Sequence, residues 1–247
     1  MPDNPISHIQ SVPILGLHVH KITMAQTLDV IDSFVKSGTP HHVITLDASM
    51  CVIAKNDPEL FNIVSTAELI TPDSIGVMWA CKRSGNPLPE RVSGVEIVDK
   101  ICAVAPQEDY RIYFFGSAPG VAADAMEKMK QKYPGCNIVG AHDGFFTSDQ
   151  ETTIVQEIAA SKPDILCVAL GIPRQEKFIA KHRNELNASV MIGVGGTFDV
   201  HSGRVKRAPV IFQKLNLEWL YRTVSNPKKI SKAMTLPKFV MHVLRNK

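Results

Sequence analysis

What this sequence lacks narrows its class before anything it contains. It has no C-x-x-C pair, and its five cysteines (Cys51, Cys81, Cys102, Cys136, Cys167) are odd in number and set among apolar neighbours. A disulfide framework and a thiolate zinc site are therefore not expected, and a reducing compartment fits best. The nine histidines form no H-E-x-x-H or other ligand spacing, and His41-His42 reads as an edge pair. No apolar run reaches the length of a membrane span. The proline-broken start "MPDNPISHIQSVPILGLHVH" lacks a basic stretch followed by a long apolar one, so no signal peptide is expected. A G-x-G-x-x-G fingerprint is also missing. "FFGSAPGVAADA" at 114–125 offers a single glycine turn, and "GVGGTFD" at 193–199 lacks the right following helix. Finally there is no D-x-D, the carboxylate pair that usually holds a divalent cation against a nucleotide diphosphate. If the chain handles such a group, arginine and lysine must neutralise it.

What is present is ordinary globular material, unevenly charged. The 247 residues are 45% hydrophobic and 21% charged, enough for one large α/β domain or two closely joined lobes. The net charge of +3 hides two opposite halves. Through residue 200 there are 16 Lys and Arg against 23 Asp and Glu; from His201 onward there are 11 against Glu218 alone. A basic end on an acidic body implies an anionic partner: a phosphate-bearing substrate, an acidic membrane or nucleic acid. Residues 210–247 read as helices broken by Pro227 and Pro237. In "KKISKAMTLPKFVMHVLRNK" apolar residues alternate with lysines, and an apolar face suits lipid better than a nucleic-acid backbone. A helix packed on the core is the plainer reading of the same pattern.

Apolar runs rich in Val, Ile and Leu appear at 42–46, 67–71, 111–116, 137–140, 164–170 and 190–195. Helical-period stretches lie between them, among them 120–132, 150–161 and 174–187. This alternation predicts a Rossmann-like α/β body, a mostly parallel sheet with helices on both faces, over residues 1–209. A basic amphipathic helical appendage is expected over 210–247.

Four places can carry chemistry, and each also has a structural reading. Asp73, in "ELITPDSIGVMWA", follows a strand and precedes a helix; it either caps that helix or presents a carboxylate at the sheet mouth as a general base. Thr45 and Asp47 in "ITLDAS" alternate to one face at a second strand end. Asp47 or Ser49 could cap the following helix, or the pair could bond sugar hydroxyls. Arg91, before Ser93-Gly94, is either a solvated turn residue or part of a phosphate-binding corner. In "LCVALGIPRQEKF", Gln175 either belongs to a capped first turn or meets a ligand's polar edge.

Taken together, "TPDSIGVMWACKRSGNPLPERVSG", "YFFGSAPGVA", "ALGIPRQEKFI", "IGVGGTFDVHSGRVKRAP" and "LEWLYR…NPKKISKAM…LPKF" resemble the WecG/TagA/CpsF family of bacterial glycosyltransferases, in order from about residue 14 onward. The resemblance implies transfer of N-acetylmannosamine, or a related sugar, from a UDP donor to polyprenyl-diphosphate-linked N-acetylglucosamine. It further implies inversion at the anomeric centre, no cofactor or metal, and work at the inner face of the bacterial cell membrane. Self-association is part of the same picture; nucleic acid is not. By the family's motifs the catalytic aspartate falls on Asp73 and the strand-end threonine on Thr45. The Pro-Glu-Arg arginine falls on Arg91, the Pro-Arg-Gln-Glu glutamine on Gln175, and the appendage arginine on Arg222. Lys229 and Lys232 stand where relatives often carry arginine; they supply charge without the guanidinium fork.

Two positions depart from the family pattern. Thr-x-Asn is usual where this chain has Thr45-Leu46-Asp47, and Pro-Asp-Gly where it has Pro72-Asp73-Ser74. An anionic Asp47 beside a diphosphate is repelled unless it faces sugar hydroxyls or an arginine. Ser74 either restricts the turn or caps the helix itself. The alternative these departures raise is a non-catalytic module that binds a nucleotide sugar or lipid intermediate.

Overall fold

The computed structural model describes residues 6–205 and 235–245. Six parallel strands form the central sheet: β3 (His41–Leu46), β4 (Leu69–Pro72), β5 (Ile112–Gly116), β6 (Ile138–His142), β7 (Ile165–Ala169) and β8 (Val190–Gly193). Their spatial order is β4-β3-β8-β7-β5-β6. All six expected apolar runs are strands, because strands buried on both faces have no polar positions to alternate. Within β5, Ile112 and Phe114 enter one core while Tyr113 and Phe115 enter the other. Period-2 geometry thus divides a single apolar run between two layers.

Helices cover both faces. On one lie α1 (Met24–Ser37), α5 (Gly94–Glu108), α6 (Val121–Lys132) and α9 (Thr197–His201). On the other lie α2 (Ala48–Ala54), α3 (Pro58–Ser65), α4 (Ile75–Arg83), α7 (Glu151–Ala160) and α8 (Arg174–His182). Helix α8 stops at His182, not at 187 as its period suggested. There Arg183 turns to donate to Glu68 at 2.8 Å and to Pro40 O.

A hairpin the apolar-run reading passed over precedes the sheet: β1 (Ser11–Ile14) and β2 (Leu17–His20). Its signal was present. Val12, Ile14, Leu17 and Val19 are all buried, on either side of a two-residue turn whose Leu15 and Gly16 both have positive φ (50° and 87°). The hairpin covers the sheet edge, where the Ile70 N–H of β4 donates to His20 Nδ1 at 3.0 Å.

The last described helix, α10 (Thr235–Arg245), packs on the second core. Phe239 is fully buried there, beside α2 and α4. The expected boundary at residues 209–210 lies outside the described residues.

At the opposite end of β3 from its carboxyl end, His42 is buried and its Nε2 has no hydrogen-bond partner among the described residues. Burial drives its pKa down to about 3; Arg183 also lowers it, while Glu68 opposes the shift. A depressed histidine stabilises the fold fully above the unfolded value of about 6.5, and that stability is lost as pH falls toward 3. Between pH 6.5 and 5 this one proton should cost about 2 kcal/mol. Urea unfolding at the two pH values checks it: His42→Leu should flatten this part of the slope.

Candidate active site

The sheet order determines where a ligand can enter. The chain leaves β3 into α2 on one face of the sheet and leaves its neighbour β8 into α9 on the other. Beyond the carboxyl ends of β3 and β8 the connections therefore diverge and leave a crevice, the usual ligand position in open α/β sheets. A cleft lies there. Its walls are Thr45 near the end of β3 and Asp47 just after it, Asp73 after β4, Arg91 and Ser93 ahead of α5, and Gly94 and Val95 in its first turn. Ile172 and Gln175 close it from the β7–α8 turn, and Val194 to Thr197 from the β8–α9 turn. Five of the eight site residues named from sequence meet in it. The other three, Arg222, Lys229 and Lys232, lie outside the described residues.

Asp73 is half-buried, and it is not the cap of α4. Ser74 holds that position with extended backbone (φ −116°, ψ 151°), its side chain accepting the Val77 N–H. The Asp73 backbone is fixed between strand ends. Its N–H donates to Leu46 O at 3.0 Å, and the next segment is tied by Val92 N–H to Pro72 O at 2.8 Å. The carboxylate is thus delivered to the cleft by rigid elements. Asp47, by contrast, does cap: its Oδ1 accepts the Met50 N–H at 2.8 Å and starts α2. It carries both roles, structural through one oxygen and cleft-lining as a whole.

Thr45 Oγ1 donates to Gly193 O at 2.7 Å, bridging β3 to β8. Its proton is committed, so the hydroxyl meets a ligand as an acceptor. Gln175 is 2% exposed and its amide is turned inward. Oε1 accepts the N–H groups of Gly171 at 3.2 Å and Gly195 at 3.1 Å, while Nε2 donates to Glu176 at 2.7 Å. It therefore ties the β7–α8 turn to the β8–α9 turn and shapes the cleft wall. A Cβ on Gly193 would come within 2.6 Å of Gln175 Nε2, so bare backbone at the end of β8 makes room for this amide.

Arg91 reaches toward Asp73 O (3.5 Å) and lies 3.7 Å from Glu96 Oε1. Ser93 caps α5 and donates to Glu96 Oε2 at 2.8 Å. The expected phosphate corner thus keeps its guanidinium and helix N-terminus, but its hydroxyl is engaged by Glu96. Among the described residues lining the cleft, Arg91 is the cation, and Asp47 and Asp73 are the carboxylates. Among the described residues no group of three or more His, Cys, Asp or Glu could hold a metal ion. The Val194–Thr197 wall was weighed from sequence only as a dinucleotide-binding glycine turn and set aside, yet it lines the cleft. Gly195, in the glycine pair just past β8, has a positive φ of 53°.

A parallel α/β sheet whose strand ends gather carboxylates, a threonine and an arginine in one cleft is a layout suited to group transfer onto polar ligands. The chain belongs to the glycosyl transferase WecG/TagA/CpsF family, whose model matches residues 12–247. It is a glycosyltransferase. Two similar relatives carry the name N-acetylglucosaminyldiphosphoundecaprenol N-acetyl-beta-D-mannosaminyltransferase. One, from Bacillus spizizenii, is 36% identical over 231 residues, covering 89% of each chain. The other, from Staphylococcus aureus, is 31% identical over 243 residues, covering 98% of this chain and 95% of the relative.

Proposed function

We propose that this enzyme transfers N-acetylmannosamine, or a related sugar, from a UDP donor to polyprenyl-diphosphate-linked N-acetylglucosamine, inverting the anomeric centre without a metal. The observation that carries the reading is the position of Asp73: a carboxylate at the sheet mouth, on a fixed backbone, with the capping of α4 taken by Ser74. Asp73 accepts the proton of an acceptor hydroxyl as that oxygen bonds to the anomeric carbon. The bond from that carbon to the diphosphate oxygen breaks, and its electron pair leaves with UDP. Arg91 stabilises the departing charge. Arg222, with Lys229 and Lys232, is assigned to the same task. Thr45 and Asp47 accept from sugar hydroxyls, and Gln175 holds the wall against which the sugars lie.

The test is UDP release from UDP-N-acetylmannosamine in EDTA, with and without the lipid-linked acceptor. Acceptor-dependent release supports the reading. Donor binding without turnover across a panel of acceptors would favour the non-catalytic module instead.

We place the enzyme at the inner face of the cell membrane as a peripheral protein. No described helix is long and apolar enough to cross a membrane. Helix α10 nonetheless presents Val240, Met241 and Leu244 to solvent, with Lys238 and Arg245 on the same helix and Trp79 exposed on α4. Apolar contact plus basic charge, about 1 kcal/mol per Lys or Arg near an anionic surface, suits reversible binding. Met241→Glu with Leu244→Glu should reduce co-sedimentation with anionic phospholipid vesicles by about tenfold or more while leaving the circular dichroism spectrum unchanged. Equal sedimentation of the variant would remove α10 as the contact.

A further inference from the structure

One hydroxyl joins the two strand ends that carry the cleft's carboxylates. The first N–H groups of a helix have no partner inside it and must find acceptors elsewhere. In α2, Asp47 takes the Met50 N–H, but the Ala48 N–H crosses to Ser74 Oγ at 3.1 Å. The same oxygen accepts the Val77 N–H of α4 at 3.3 Å. Ser74 therefore caps its own helix and the neighbouring one together. The tie points, Ala48 and Ser74, directly follow the cleft residues Asp47 and Asp73. A second stitch lies one step earlier, from Asp73 N–H to Leu46 O at 3.0 Å. The helices also touch here: a Cβ on Gly76 would stand 3.1 Å from Ala48 Cβ.

We infer that Ser74 is a positioning residue that sets the separation of Asp47 and Asp73, and through it the alignment of the base with the acceptor sugar. The inference rests on the proposed role of Asp73. Asp47 and Asp73 continue the parallel register Leu46↔Pro72, on strands about 4.8 Å apart. The double cap fixes that step where the two segments leave the sheet. Backbone conformation does not call for serine, since φ and ψ at Ser74 are extended and open to alanine or glycine. What alanine removes is the shared acceptor. A helix cap alone would affect stability; a fixed spacing of the two strand ends also sets the fraction of bound substrate in reacting geometry.

The experiment compares wild type, Ser74→Ala and Ser74→Thr. Hydrogen exchange reads the stitch directly, and transfer kinetics, split into kcat and donor KM, read the consequence. In Ser74→Ala, exchange at Ala48 and Val77 should quicken about tenfold. In the same variant kcat should fall about tenfold while donor KM holds. Ser74→Thr, which keeps an oxygen in place, should restore both. Unchanged exchange at Ala48, or faster exchange with unchanged kcat, overturns the inference. An Asp73→Asn enzyme at wild-type rate would sink the base assignment instead. In that case a kcat loss in Ser74→Ala that Ser74→Thr restores still establishes the positioning of the two strand ends.

Discussion

Asp73→Asn should lower acceptor-dependent UDP release by about 10²- to 10⁴-fold, the usual worth of a positioned general base. Asparagine matches aspartate in shape, and the elements that hold this residue do not depend on its charge. The backbone N–H still reaches Leu46 O, and Ser74 still caps α4. Fold and donor binding should therefore survive, and the loss should fall on kcat. Measured under saturating donor and acceptor, with the thermal midpoint as control, the experiment isolates the proton transfer. A variant that turns over within tenfold of wild type would remove Asp73 from the chemistry.

Phe239→Ala should release α10 from the body. The ring is fully buried and stands within 3.4 Å of where a Cβ on Gly76 would lie, filling the notch between α2 and α4. Truncating a buried phenylalanine to alanine costs about 3–5 kcal/mol. Phe239 is the one fully buried side chain of the described helix. Leu236 and Val243 pack only partly buried on the same core. Beside them run hydrogen bonds from Thr235 Oγ1 to Ser49 Oγ at 3.3 Å and between Lys55 Nζ and His242 Nδ1 at 3.1 Å, the latter exposed. Amides of α10 should thus exchange at least about a hundredfold faster than in wild type, with the core strands little changed. Protection equal to wild type would mean that something other than Phe239 seats the helix.

How far the sequence could be read differs by level. The six strands were legible because a parallel sheet covered on both faces demands continuous apolar runs. Their order was not, since nothing in a run such as 190–195 says that it will lie between β3 and β7. The strand-end residues Thr45, Asp47 and Asp73 could be placed at a ligand edge from the alternation alone. Which of two adjacent residues caps a helix could not: Asp73 and Ser74 are both capping types, and only backbone geometry gives the duty to Ser74. Gln175 shows the same limit. Its polarity was visible, but not that the N–H groups of Gly171 and Gly195 would need its oxygen. The hairpin at 11–20 was missed because its strands are short and one contains a proline.

The pairing of β3 with β8 has a consequence for how the enzyme is made. Thr45 and its partner Gly193 are 148 residues apart. During synthesis β3 and β4 can dock early, but the inner edge of β3 waits, unpaired, until nearly the whole sheet has emerged. Such late parallel pairings fold slowly and leave an apolar edge open to other chains meanwhile. A nascent chain that ends before residue 190 carries Asp73 without the opposite wall of the cleft. Sugar transfer is thus coupled to completion of the sheet, and a partly made chain has no competent site with which to consume donor.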